Sequence, residues 1–231
     1  MYCVHCGAPI PEGTQFCTSC GKDQASPVGP PAIVAPTVFV PPVNIRARGT
    51  AWMSAGWEAV KADFSNFTIV SLLGVVLNSV VPFILQGPLM AGTFIFTANK
   101  LRRRPADLND LFKGFNYFVP TLVASLLISL FVLIGTALCI IPGLVVAAMY
   151  SFTYLFIVDK KMDFWPAMEA SHAVVKNDYF GFTIFLLLAA LVNVLGLLCC
   201  VVGLLITIPV THAAVAIAYQ ELVGFEPNGE M

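Results

Sequence analysis

The chain of 231 residues is 58% hydrophobic and 11% charged, against about 25% charged in a soluble domain, and its net charge is −1. Asp, Glu, Lys and Arg are absent from three blocks, residues 64–99, 114–158 and 179–220. This pattern excludes an ordinary soluble enzyme, a disordered chain and a nucleic-acid-binding domain with a basic face, and leaves a polytopic membrane protein with a polar N-terminal segment.

Residues 1–22 carry the most specific motif. Cys3-x2-Cys6-Gly7 is followed, ten residues on, by Cys17-x2-Cys20-Gly21. Two such knuckles place four thiolates around a tetrahedral ion, so Cys3, Cys6, Cys17 and Cys20 are the expected ligands of a structural Zn2+, with iron or no metal as the alternatives. A piece this short cannot bury an adequate core, and metal binding would supply its folding energy. A reducing cytoplasm favours thiolate ligation over disulfides. Four cysteines already complete the shell, so His5 is surplus and a catalytic role, which needs an open position, is not expected. Glu12 and Lys22 are the only charges here, so phosphate binding lacks its driving term and nucleic acid is not an expected partner. The pattern resembles the short zinc ribbon at the N-terminus of many bacterial membrane proteins, Cys-x2-Cys-Gly…Phe-Cys-x2-Cys-Gly, with Phe16 in the aromatic position. The first 22 residues lack the apolar core of a signal peptide, so the first span is expected to act as the insertion signal.

Residues 23–49 contain six prolines and read as a linker, semi-rigid and roughly 80 Å long when extended. Residues 50–223 follow as a transmembrane helical domain and 224–231 as a tail.

A span needs about 20 apolar residues. Each uncharged block is long enough for two, with turn residues near its middle: Gln86-Gly87-Pro88, Pro142-Gly143 and Gly203. The expected fold is an all-α bundle of about six spans in three hairpins. The block 64–99 barely allows two crossings and could be partly re-entrant. Three amphipathic stripes precede the hairpins: Met53, Trp57, Val60 and Phe64; Leu108, Leu111, Phe112 and Phe115, with Asp107 as an N-cap and Asp110 three residues on; and Phe164, Met168, Val175 and Tyr179. They read as helices lying on the inner leaflet. An offset of 115 aligns Val60–Phe64 with Val175–Tyr179, Phe67 with Phe182 and Asn78 with Asn193, and another pairs Gly135 with Gly196 and Cys139 with Cys200, which suggests an internal repeat. All 12 Lys and Arg precede the first span or lie between hairpins, which predicts a plasma or inner-membrane protein with both termini cytoplasmic.

Within the spans His212 is the one ionisable side chain. It reads either as a neutral histidine bonded to a neighbour or as a proton or ligand site beside Pro209. Asn78 and Asn193 are expected to bond across helices. Cys139 could pair with Cys199 or Cys200, or all three could be small apolar filler. Asp159, Asp163, Glu169 and Asp178 read as a solvated face. No HExxH, P-loop or GxSxG is present, and no catalytic or cofactor-binding residues are assigned.

Ile141-Pro142-Gly143, Ala167-x3-Ser171-x3-Val175-Lys176 and Thr207-x-Pro209 resemble a family of uncharacterised bacterial integral membrane proteins, similar in turn to the membrane domain fused to some glycerophosphodiester phosphodiesterases. The resemblance covers roughly residues 110–222 and implies a six-span bundle. The phosphodiesterase domain is missing, so no activity is carried over. The expectation is a non-enzymatic adaptor or scaffold that contacts membrane lipids and a protein reached through the ribbon, and that could self-associate. The alternative is a transporter or permeation subunit for a small solute or lipid.

Overall fold

A charge-free stretch has little to offer its own peptide groups outside the backbone, and in an apolar medium helix is the form that satisfies them within one segment. The computed structural model describes residues 6, 8–9, 18–20, 39, 45–80, 84–198 and 203–226. The chain divides into two units, Met1–Phe39 and Val40–Met231, and the division falls inside the proline-rich stretch. In the first unit, Cys6 and residues 18–20 lie in turns.

The second unit is built of helices, with no strand among its described residues. They are α1 (Gly49–Ala62), α2 (Phe64–Val80), α3 (Gln86–Leu101), α4 (Asn109–Lys113), a 3-10 turn (Gly114–Tyr117), α5 (Phe118–Leu138), α6 (Ile140–Met149), α7 (Thr153–Asp159), α8 (Phe164–Val175), α9 (Tyr179–Leu198) and α10 (Leu204–Leu222). Four segments are long and apolar enough to cross a membrane: Asn109–Leu138, Ile140–Asp159, Tyr179–Leu198 and Leu204–Leu222. Helices α1 and α2, bent by 102° at Asp63, would make a fifth if taken as one broken span. The second and third uncharged blocks each hold two of these segments. The first holds α2 and α3, and α3, at 16 residues, is only about 24 Å long against the ~30 Å hydrocarbon core.

α3 is instead the centre of the bundle. Every residue from Gly87 to Asn99 except Met90 is buried, and α2, α4, α5, α7 and α10 all pack on it. Backbones come close enough that a Cβ on Gly92 would overlap the Leu111 carbonyl and one on Gly114 the Pro88 carbonyl. Its inward polar groups are satisfied locally: Thr93 Oγ1 donates to the Met90 carbonyl (2.8 Å) and Thr97 Oγ1 to that of Thr93 (2.8 Å). At its C-terminal end, Asn99 Nδ2 donates to Asp110 Oδ2 (2.9 Å). Facing outward are Leu126, Leu130 and Leu133 of α5 and Leu187, Leu191 and Leu195 of α9, all exposed, as a lipid-facing surface requires.

The three amphipathic segments form helices, but their faces differ from the predicted stripes. α1 buries Trp52, Met53, Gly56 and Val60, while Trp57 and Phe64 are exposed. Gly56 lets it lie against α10, where a Cβ would stand 2.7 Å from the Val210 carbonyl. Trp52 is fixed at both ends: Nε1 donates to Glu221 Oε2 (2.7 Å) and the ring stands edge-on to Phe185, centroids 5.3 Å apart. In α4, Leu111 is fully buried, Leu108 and Phe112 are exposed, and Asp107 does not cap the helix, whose N-cap is Leu108. α8 is no peripheral helix: Ala167, Met168, Ser171, Val174 and Val175 are buried. Ser171 stitches the break between α6 and α7, its Oγ donating to the Met149 carbonyl (2.7 Å) and accepting from Phe152 N–H (3.2 Å).

The aligned segments have matching structure. Asp63 and Asp178 each stand immediately before a long helix, and Phe67 and Phe182 are both buried. The hairpin turns pair Gly135 with Gly143 and Gly203 with Gly196 at distances that admit no side chain.

Of the four carboxylates between α7 and α9, Asp163 and Glu169 are exposed as expected of a solvated face, whereas Asp178 is half-buried and Asp159 buried. Asp163 caps α8, accepting from Phe164 N–H (2.8 Å). Asp178 accepts from Gly181 N–H (2.9 Å) and Ala47 N–H (3.0 Å), which ties residues 45–48 to the start of α9. Asp159 is buried, and it joins four segments: Arg102 Nη2 at 2.7 Å, Tyr219 Oη at 3.1 Å, the Glu226 N–H at 3.1 Å and Lys160 Nζ at 3.6 Å. Arg102 also lies over Phe225, 4.5 Å from the ring centroid. The ion pair between Lys100 and Asp63 belongs to the same end of the bundle.

Removing one partner of a buried pair costs more than the pair itself contributes, because the other charge stays buried. Asp159→Ala is expected to lose about 3–5 kcal/mol in denaturant unfolding in detergent, and Asp159→Leu with Arg102→Met to recover most of it. Lys61→Ala, which breaks an exposed pair with Glu58, is expected to change stability by less than about 0.5 kcal/mol.

Candidate functional site

Two places in the chain combine residues that can do chemistry. The first is the cysteine set. Cys6 and Cys20 are exposed, while Cys3 and Cys17 lie outside the described residues. The donor chemistry, four thiols in two pairs, suits a soft tetrahedral ion such as zinc.

The second is a cavity of about 260 Å³ between α2, α3 and α10. Helix geometry explains its lining. Ser71, Gly74, Val75 and Asn78 stand at i, i+3, i+4 and i+7 on one face of α2; Gln86, Leu89, Met90 and Thr93 repeat that spacing on α3; Ile208 and His212 are one turn apart on α10. No charged side chain is among these residues. Asn78 Oδ1 is buried without a hydrogen-bond partner among the described residues. A Cβ at Gly74 would meet nothing within 4 Å, so this glycine, unlike Gly56 or Gly92, is not demanded by a neighbouring backbone. The His212 ring packs on Phe94, centroids 5.6 Å apart, and helix α10 runs on through Pro209.

Sequence reasoning singled out Asn78 and His212 separately, and the structure brings them to one cavity. Asn193 is apart from it: Nδ2 donates to Thr211 Oγ1 (3.4 Å) across α9 and α10, the cross-helix contact expected of it. Asn78 lines the cavity wall, and the Oδ1 atoms of Asn78 and Asn193 are both buried without a hydrogen-bond partner among the described residues. Ser71, Gly74, Gln86 and Thr93 were missed. Their signal was the seven-residue spacing of small and polar residues inside a charge-free block. Cys139 is exposed at the turn between α5 and α6; Cys199 and Cys200 lie outside the described residues. His172 Nε2 and Tyr179 Oη are 2.6 Å apart on the exposed side of α8.

Residues 2–23 match the zinc-ribbon domain. Over 169 residues the chain is 28% identical to uncharacterised proteins of Mycobacterium bovis and Mycobacterium tuberculosis, an alignment that covers 72% of this chain and 52% of each relative. The chain thus spans about half the length of the curated relatives it matches. No solved structure matches it. The chain therefore carries an N-terminal zinc-ribbon domain and helices fit to span a membrane, with weak homology to mycobacterial proteins.

A buried carbonyl without a partner is a cost that an apolar side chain of similar size removes. Asn78→Leu is expected to leave thermal stability in detergent unchanged or raise it, by up to about 1–3 kcal/mol. Loss of stability would mean that Asn78 is a packing bond after all.

Proposed function

We propose that the protein is a non-enzymatic membrane adaptor in which a zinc ribbon recruits a protein partner to a helical bundle. The observation that carries this reading is the zinc-ribbon domain at residues 2–23 of a chain whose remainder holds four or five membrane-length segments. Cys3, Cys6, Cys17 and Cys20 would hold a structural Zn2+, whose binding would fold the ribbon and leave no open position for substrate. Its face carries too little positive charge for nucleic acid, so a protein is the better partner.

The reading places the protein in a bacterial inner membrane, with six crossings if α2 and the protein-enclosed α3 make the first hairpin, both termini in the cytoplasm and the ribbon with them. Support comes from the ion pairs of Arg48 with Glu221, Lys100 with Asp63 and Arg102 with Asp159, which gather the basic residues at one end of the bundle, the end that the positive-inside rule assigns to the cytoplasm. Contact with lipid follows.

The test is cross-linked affinity purification of the intact protein beside Cys17→Ser, with zinc measured on both. Zinc is expected to fall and a specific partner to vanish while the bundle still inserts. The same partners with and without zinc would overturn the adaptor reading. Orientation is tested separately: with Cys199 and Cys200 replaced by Ser, a membrane-impermeant maleimide is expected to label Cys139 in intact cells, and labelling only after permeabilisation would reverse the topology.

A second reading, a permeation subunit for a small solute or lipid, is favoured by the cavity between α2, α3 and α10. Its mark would be flux across liposomes that His212→Ala abolishes.

A further inference from the structure

We propose that the cavity between α2, α3 and α10 binds an uncharged lipid bearing a free hydroxyl group, of the diacylglycerol kind, entering from the bilayer. The inference does not depend on what the ribbon recruits.

Charge sets the first limit. The wall offers amide, hydroxyl and imidazole groups but no Lys, Arg, Asp or Glu. A phosphate or carboxylate headgroup would enter without a counter-charge, at a cost of several kcal/mol. Hydrogen bonding sets the second. The polar side chains of the wall, Ser71, Asn78, Gln86 and His212, are neutral groups that can both donate and accept, so the fitting ligand carries a neutral group that does both, and a hydroxyl is the smallest that does. Space sets the third. Gly74 sits in mid-helix, where glycine is unfavourable by roughly 0.5–1 kcal/mol relative to alanine. No neighbour requires it, and it opens the floor of the cavity.

Access decides between a lipid and a water-soluble polyol. Val75 forms part of the wall and is itself exposed, and beside it on the same helix Leu72 and Val76 are exposed as well. The mouth is thus bordered by the surface that faces hydrocarbon. At about 260 Å³ the cavity is slightly smaller than the usual pocket for a drug-sized ligand. It suits a glycerol headgroup and the first part of its chains, with the rest left in the bilayer.

The experiment is native mass spectrometry of the full-length protein, freed from detergent in the gas phase, with 1,2-dioctanoylglycerol as probe. Three comparison ligands are its methyl ether, which lacks the donor; dioctanoyl phosphatidic acid, which adds charge; and glycerol, which lacks the chains. Dioctanoylglycerol is expected to bind, and each comparison ligand to bind at least about tenfold more weakly. Gly74→Leu, which fills open space at the wall, and Asn78→Leu, which removes an amide from it, are each expected to weaken binding by about tenfold or more while the unfolding temperature stays at or above that of the parent. Undiminished binding by both variants would mean lipid attached to the outer surface, and would overturn the proposal. So would equal binding of the methyl ether or of phosphatidic acid, or no binding of dioctanoylglycerol. Equal binding of glycerol would assign the cavity to soluble polyols instead.

Discussion

The bundle depends on one helix being surrounded by protein. α3 reaches only about 24 Å and carries Thr93, Thr97 and Asn99 on its buried surface. In contact with lipid it would be too short and too polar. Surrounded by its neighbours, it becomes the axis on which they are aligned. Close approach makes this enclosure dense. Gly92 and Gly114 bring α3 and the 3-10 turn to backbone contact, and in a medium where apolar side chains gain nothing by leaving lipid, such contact is a main source of helix association. The ends of α3 then determine what else is fixed. Its N-terminal turn supplies one wall of the cavity, and its C-terminal end places Lys100 and Arg102 beside Asp63 and Asp159. The cavity and the ion pairs are two ends of the same packed element.

Much of this architecture was legible in the sequence, because charge is a strong signal in a membrane chain. The three uncharged blocks contain the apolar helices, and Gly143 and Gly203 mark turns that do close on glycine pairs. What could not be read was which side of each helix meets protein. In water, an apolar face points to the core. In a membrane, apolar faces point both ways, so Met53, Trp57, Val60 and Phe64 form a convincing stripe although Trp57 and Phe64 are exposed and the buried face turns through Trp52 and Gly56. Small residues were the better guide. For the same reason Asp159 looked like a solvent-facing acid, since nothing local announces that Arg102, 57 residues earlier in the chain, will bond to it.

The two candidate sites differ in the same respect. The ribbon rests on four residues whose type and spacing are specific, so a short motif identifies it without any view of the fold. The cavity rests on convergence. Ser71 and Asn78, Gln86 and Thr93, and His212 are unremarkable in their own helices and acquire meaning only when three helices bring them together. Asn78 and Asn193, equivalent in the repeat, show how duplication leaves room for divergence. One copy donates to Thr211 across a helix pair, while the other stands on a cavity wall.

The junction around Asp159 also implies an order of events during synthesis. Arg102 emerges 57 residues before its carboxylate, whereas Tyr219 and the Glu226 N–H follow that carboxylate by 60 and 67 residues. At ribosomal rates of about 5–20 residues per second, several seconds separate the first contact from the last. During that interval the nascent bundle holds Asp159 through Arg102 and the adjacent Lys160, with α10 not yet in place. Helix α10 therefore seals the polar seam made by the helices before it, and joins the bundle as a latch rather than by an independent insertion.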